Sequence, residues 1–293
     1  MTPSISRRRA LRTLATGAAY FSTVAALSSR LAAADAASGL KGRIHHSVCR
    51  WCYHKLTLDQ LCQAARELGL TAIDLVGPED WPTLRKYGLA CGMANGADTS
   101  PKFGWNRLEN HGKLIQSYGK LIPLVAAAGI GNLICLSGKR QGMSDEAGWA
   151  NCTAGLRQIM PLAEKHGVNL CLEMLNSEVD HKDYMADTTA WAVELARRVG
   201  SGRFKLLYDI YHMQIMEGNV IDTIRTYHSY FAHYHTGGVP GRHEIDETQE
   251  LNYAAIMRAI ADTGYTGFVA QEFKPSRPDI LGSLKQAVGI CDV

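Results

Sequence analysis

From residue 44 onward the chain alternates, eight times over, between a short apolar run and a longer amphipathic one. The short runs fall at 44–49, 72–76, 89–94, 132–136, 168–172, 204–208, 231–235 and 268–272. The longer ones fall at 56–68, 81–87, 108–128, 145–165 and 188–199, in a stretch reaching 227, and at 253–263 and 279–288. Short apolar runs suit buried strands and the longer periodic ones suit helices. Strands that alternate with helices must run parallel, with each helix crossing back over the sheet. Eight such units in about 250 residues predict an α/β fold of the closed (β/α)8 TIM-barrel kind. The punctuation agrees. In ELGLTAIDL, KYGLACGM, AAGIGNLICL, KHGVNLCLE and DTGYTGFVAQE a glycine stands between the end of a helix and the start of a strand. Glycine tolerates the left-handed conformation that closes a helix there. No G-x-G-x-x-G follows any of the short runs, which argues against an open, doubly wound nucleotide-binding sheet.

Residues 1–36 stand apart from this pattern. Ser6-Arg7-Arg8-Arg9-Ala10-Leu11-Arg12 sets paired arginines ahead of a moderately apolar run at 14–27. That arrangement reads as a twin-arginine export signal. Ala32-Ala33-Ala34 and Ala34-Asp35-Ala36 offer small residues for cleavage, and an uncut anchor is the alternative. The expected organisation is therefore a signal peptide over 1–36 and one barrel domain over 37–293, periplasmic or secreted. No other stretch is long and apolar enough to span a membrane, so no membrane partner is expected after cleavage. The net charge of +3 comes without a basic stripe carrying interleaved aromatics, which argues against a nucleic-acid partner. Cys49-Arg50-Trp51-Cys52 is a C-x-x-C, but it is unrepeated and lacks a thioredoxin-like context, so packing rather than redox chemistry is expected. Whether Cys49 and Cys52 pair stays open, as does assembly into a homo-oligomer.

In barrels of this kind functional groups sit at the C-terminal ends of the strands. GVNLCLEML ends its run at Glu173, FKLLYDIYH at Asp209 with His212 three residues on, YFAHYHTGG at His235 and GFVAQEF at Glu272. Any one of these alone is ordinarily a solvated or packed residue. Four consecutive strands that deliver Glu, Asp, His and Glu to one rim are a different matter. Three carboxylates crowded at an apolar rim repel one another and resist desolvation, and a divalent cation removes the conflict. Three oxygen donors and one imidazole suit Mn²⁺ or Mg²⁺, with Co²⁺ or Zn²⁺ as alternatives.

Four segments carry a resemblance: LCLEMLNS around Glu173, YDIYHMQIMEGN around Asp209 and His212, HTGGVPGRHEIDETQELNY after the seventh run, and GFVAQEFKP around Glu272. Over residues 44–275 the chain resembles the xylose-isomerase-like barrels, and among them the hydroxypyruvate isomerase family, with ketose 3-epimerases related. The resemblance implies an isomerase or epimerase that moves a proton beside a carbonyl of a small sugar or keto acid. A metal held by Glu173, Asp209, His235 and Glu272 would stabilise the enediolate as a Lewis acid. Glu173 and Glu272 would be the proton-transfer pair. His212 resembles the family histidine beside a substrate oxygen. Arg242, in Pro240-Gly241-Arg242, resembles the family arginine that grips a substrate oxygen or carboxylate.

The chain also departs from that family. Hydroxypyruvate isomerases usually carry Gln where this chain has His235, whereas the ketose epimerases carry His. The stretch HHSVCRWCYHK around the end of the first run is unusual, and His46, Trp51 and His54 are expected to line or cap the pocket, with Trp51 stacking on a sugar face or packing in the barrel mouth. Glu178 is a candidate for orienting substrate or a solvated loop residue, and Asn95, in GMANG, is a candidate polar contact at the rim. Export points to sugars or glycosides met outside the cytoplasm, so a lyase or hydratase acting on 3-keto-sugars with the same metal and base is the alternative reaction. A sugar-binding barrel without turnover and a nuclease of the same superfamily are the remaining readings; the latter calls for more metal ligands and a basic groove.

Overall fold

A computed structural model describes residues 39–293 of the chain. The export signal expected over 1–36 lies outside the described residues.

Among the described residues eight strands form: β1 His45–Cys49, β2 Ala72–Asp74, β3 Ala90–Cys91, β4 Asn132–Cys135, β5 Asn169–Glu173, β6 Phe204–Asp209, β7 Phe231–Thr236 and β8 Phe268–Gln271. They hydrogen-bond in the order β3-β2-β1-β8-β7-β6-β5-β4, and the pairings are parallel. The two ends of that order meet. Ala94, just past β3, bridges Leu133 of β4 in parallel, donating its N–H to the Asn132 carbonyl at 2.9 Å and accepting from the Ile134 N–H at 3.1 Å. The sheet thus closes on itself as a TIM barrel, and closure leaves no edge strand unpaired.

The outer layer comprises α1 Leu58–Glu67, α2 Trp81–Lys86, α3 Leu108–Ala127, α4 Asp145–His166, α5 Thr189–Val199, α6 Ile210–Met216, α7 Val220–Tyr227, α8 Tyr253–Asp262 and α9 Ile280–Cys291. Local chemistry sets several of their ends. Thr57 and Gln60 form a reciprocal capping box at the start of α1, and Gly167 and Gly200 take the left-handed conformation that ends α4 and α5. The stretch to residue 227, read from sequence as one helical segment, is two helices. Gly218 and Asn219 both take positive φ and break it, while the Glu217 carboxylate accepts the N–H and hydroxyl of Thr189 at 2.8 and 2.7 Å. Among the described residues no helix is long and apolar enough to cross a membrane. All eight cysteines are buried free thiols, Cys49 and Cys52 included.

Successive residues of a strand face opposite sides of the sheet. The faces turned toward the helices build the main apolar core. The faces turned inward stack in layers along the barrel axis. Met93, Ile134, Cys171 and Leu207 make a small separate apolar cluster. Two residues farther along β5 and β6, on the same faces, come Glu173 and Asp209. The barrel interior is therefore greasy below and acidic above.

Candidate active site

Glu173 and Asp209 are the last residues of β5 and β6, His235 lies one residue before the end of β7, and Glu272 directly follows β8. The ladder sets Asp209 opposite His235 and His235 opposite Ala270, so the four side chains share the interior face. All four are buried. One donor atom from each lies within 4.8 Å of those from the other three. The His235 Nδ1 stands 3.1 Å from Glu173 Oε1 and 2.7 Å from Glu272 Oε2. Three carboxylates and one imidazole nitrogen converging in a buried place fit a hard divalent cation, and this donor set does so through chemistry as well as proximity.

The electrostatics of the cluster show the same demand for positive charge. Arg242 reaches in from the loop after β7, its Nη2 3.0 Å from Asp209 Oδ2 and also bonded to Glu272 Oε2. Its guanidinium lies over the Trp51 and Tyr211 rings, 5.2 and 5.3 Å from their centroids. Burial pushes the Asp209 carboxyl above its ordinary range, although Arg242 opposes the shift. Burial also opposes ionisation of Glu272, yet Arg242 and His235 outweigh it and hold that carboxyl well below the usual range. Burial likewise disfavours a charged His235, but Glu272 and Glu173 draw a proton to it and raise it well above the ordinary imidazole value. The protein therefore holds three carboxylates together only with cationic partners wedged between them.

His212 sits in the first turn of α6, where Asp209 Oδ1 caps the helix by accepting its N–H at 3.2 Å. Its Nδ1 accepts from the Asn176 backbone N–H at 3.1 Å, with the Asn176 side-chain nitrogen at 2.6 Å. Those donors leave Nε2 to carry the ring proton, 3.5 Å from Asp209 Oδ2. Burial, reinforced by Arg242 and His181, keeps the ring well below the ordinary histidine value, so it is a neutral donor beside the cluster.

Of the remaining residues singled out in the sequence, Trp51 joins the site: its Nε1–H donates to Glu272 Oε1 at 2.7 Å, and it is 41% exposed at the barrel mouth. Four do not join it. His46 pairs in register with Val269, one residue out of phase with Cys49 and Glu272, so it faces the helical layer and is buried there. A one-residue offset in a strand reverses the face, which corrects its placement in the pocket. Asn95 is exposed and uses its own Oδ1 to accept the Gly96 N–H at 2.7 Å. Glu178 is exposed on the loop after β5, and among the described residues only its backbone carbonyl is engaged, by Lys182. His54 is exposed, its Nδ1 3.4 Å from the Trp51 carbonyl oxygen.

The structure adds residues that the sequence reading passed over. Asp74, the last residue of β2, is fully buried with its Oδ2 2.5 Å from His233 Nε2 and 3.9 Å from His235 Nε2. Cys49, the last residue of β1, places its Sγ 3.8 Å from the same His235 Nε2. The signal was present. Asp74 is an acidic residue in the middle of the otherwise apolar second run, 72–76, and His233 precedes His235 by two and so shares its face. Gly92 makes room for the carboxylate, since a Cβ there would collide with Asp74 Oδ1.

This chain belongs to the xylose isomerase-like TIM barrel family, which its residues 62–288 match. Particular relatives sharpen the picture. The chain is 33% identical over 155 residues to hydroxypyruvate isomerase of Escherichia coli, covering 53% of this chain and 59% of that one. It is 26% identical over 231 residues to 2-oxo-tetronate isomerase of Haemophilus influenzae, covering 75% and 89%. In curated relatives from Danio rerio and Homo sapiens the matched segment spans less than half of their length, 44% and 43%. Among solved structures, 3-keto-D-glucoside 4-epimerase from E. coli superposes with a TM-score of 0.71 at 17% identity, covering 84% of this chain and 98% of that one; at that identity the likeness is one of fold.

Proposed function

We propose that this chain is a metal-dependent isomerase or epimerase of small sugars or keto acids, acting by proton transfer at a carbon beside a carbonyl. The observation that carries the reading is the convergence of Glu173, Asp209, His235 and Glu272 within 4.8 Å in a buried barrel mouth. The names of the similar isomerases from E. coli and H. influenzae support the reaction class.

In this reading the four residues hold a divalent cation, Mn²⁺ or Mg²⁺ by donor type, with Co²⁺ and Zn²⁺ as alternatives. The ion, when bound, supplies a Lewis acid that polarises a carbonyl and its neighbouring hydroxyl. The chain's own groups do the rest. Glu173 and Glu272 come from the two strands that flank β6 and β7, so they bracket the space above Asp209 and His235. Glu272 already carries Trp51, Arg242 and His235 on its two oxygens, and each spreads its charge. Among the described residues the Glu173 carboxylate bears only His235, on Oε1, which leaves it an oxygen for substrate, so it is assigned the proton. The His212 Nε2–H is aimed at the cluster edge and would donate to a substrate oxygen. Arg242 and Trp51 close the mouth, one as a cation and one as a flat apolar wall.

The test is exchange of a substrate C–H proton with deuterated water. The metal-loaded protein is screened against hydroxypyruvate, 2-oxo-tetronates and ketohexoses, with and without chelator. Chelator-sensitive exchange is expected with a member of this set; no exchange with any of them would sink the proposal. The twin arginines at Arg7 and Arg8 favour a second reading, an exported lyase or hydratase on 3-keto-glycosides, because export brings the protein to such sugars. It begins with the same proton removal but changes ultraviolet absorbance as a double bond forms or is hydrated. Cell fractionation with and without Arg7→Lys and Arg8→Lys checks the export on which it leans.

A further inference from the structure

His235 has two ring nitrogens and the structure gives them opposite surroundings. Nδ1 faces the carboxylates of Glu173 and Glu272 at 3.1 and 2.7 Å. Nε2 faces away from them, toward Asp74 Oδ2 at 3.9 Å and Cys49 Sγ at 3.8 Å. An imidazole that offers Nδ1 to a cation must keep its one proton on Nε2. Of the two groups facing Nε2, Cys49 Sγ is its weak hydrogen-bond neighbour, and Asp74 brings the negative charge that favours a proton on that side.

Asp74 has no evident reason to be there for packing. It is completely buried in the barrel interior, where an aliphatic side chain of like volume would avoid the desolvation cost of a carboxylate. The fold instead accommodates it from two sides. His233 Nε2 stands 2.5 Å from its Oδ2, an ion-pair contact that meets no hydrogen-bond geometry and leaves both atoms otherwise unpartnered. Gly92 leaves the space that Oδ1 fills. The His233 ring meets the His235 ring edge to face, with centroids 5.1 Å apart and planes at 87°, so the partner that fixes Asp74 also buttresses the histidine that Asp74 addresses.

We infer that Asp74, held by His233, is a positioning residue that fixes the proton of His235 on Nε2 and thereby presents Nδ1 to the cation of the tetrad. The inference rests on the tetrad holding a divalent ion. Asp74 touches neither the ion nor the substrate; it acts through His235. Carboxylate partners of metal-binding histidines raise ligand basicity and fix ring orientation, and their loss lowers metal affinity by about 10–100-fold.

The experiment measures the dissociation constants of Mn²⁺ and Co²⁺ by chelator competition on the purified chain, together with the visible spectrum of the Co²⁺ form. The variants are Asp74→Asn, His233→Gln, His235→Gln and the double variant Asp74→Asn/His235→Gln. Asp74→Asn is expected to weaken both ions about 10–100-fold and to shift the Co²⁺ bands. His233→Gln is expected to act in the same direction and less strongly, and it tests the inference should Asp74→Asn not fold. Because Gln has no second ring nitrogen to address, Asp74→Asn should add little to the loss already made by His235→Gln. Three outcomes overturn the inference. Unchanged affinity and spectrum in Asp74→Asn or His233→Gln shows that the pair does not act on His235. Additive losses in the double variant show that Asp74 acts elsewhere. Two ions per wild-type chain, one of them lost in both single variants, shows that Asp74 and His233 ligate an ion of their own. A wild-type chain that binds no divalent ion refutes the reading of the tetrad itself, and this inference with it.

Discussion

The barrel is built from one repeated unit, yet its two arcs do different things. On one side, β5 to β8 deliver Glu173, Asp209, His235 and Glu272 to the upper interior. On the other, the segment just past β3, and β4 itself, stop at Met93 and Ile134 in the lower apolar layer, which β5 and β6 share through Cys171 and Leu207, and β1 and β2 contribute one thiol and one carboxylate, Cys49 and Asp74, both near the far side of His235. The backbone pairing and helix crossover are alike in both arcs. What differs is how charge is kept. The acidic arc offsets its carboxylates against Arg242 and His235, while the quiet arc buries a single carboxylate against a single histidine, His233. An α/β barrel can thus concentrate reactive charge in half of its rim and use the other half to hold that charge in place.

Breaking the acidic arc should have the larger consequences. Glu173→Gln removes the group assigned as base, and proton exchange with substrate should fall by about 10²–10⁴-fold. Ion binding should survive, weakened, as read by chelator competition; full exchange activity in this variant would remove Glu173 from the mechanism. Arg242→Met leaves Asp209 and Glu272 buried without their guanidinium, 6% of the arginine being exposed. Losing one partner of a buried ion pair costs about 3–5 kcal/mol, seen as a lower midpoint in denaturant unfolding. Saturating divalent ion should recover part of that loss. If it does not, the carboxylates are not an ion site.

The quiet arc should yield smaller effects. Gly92→Ala drives a methyl group toward Asp74 Oδ1 and should destabilise the barrel by about 1–3 kcal/mol without touching the tetrad directly. If it leaves stability unaffected, the space beside Asp74 is not a packing requirement. The smallest effect is expected where the loops after β7 and β8 are tied. Glu244 accepts from the Ser276 and Arg277 N–H groups at 2.8 and 3.0 Å and from the Ser276 and Ser283 hydroxyls at 2.7 and 3.0 Å. Burial opposes its charge, but these bonds outweigh burial and bring its carboxyl down to about 2. A folded value below the unfolded one means that the stabilisation is present above the unfolded value of 4.5 and is lost as pH falls toward 2. Glu244→Gln should therefore cost about 0.5–1.5 kcal/mol near neutral pH and flatten the acid limb between those values, read by unfolding at a series of pH values.

Much of this was legible in the chain itself. The eight runs, the glycines between helix and strand, and the strand-end residues on four successive units follow from local preference and period, which a sequence carries directly. Glu173, Asp209, His235 and Glu272 were found by their positions at the ends of runs, and Arg242 and Trp51 also meet in the structure, at Glu272. His46 shows where that reasoning stops. It lies in the run Ile44-His45-His46-Ser47-Val48-Cys49, whose polar residues fall on both faces of a strand, so nothing in the pattern tells one face from the other, and only the register of β1 against β8 turns it outward. Asn95 and Glu178 lie on loops, where no period fixes a direction at all.

Alternation, glycine punctuation and strand-end chemistry determined the barrel and the acidic rim, because each is a property of residues near one another in the chain. Whether two strands 160 residues apart bring Asp74 under His235 is a matter of barrel closure, register and the space left by Gly92. Those are contacts between segments, and only the tertiary structure decided them.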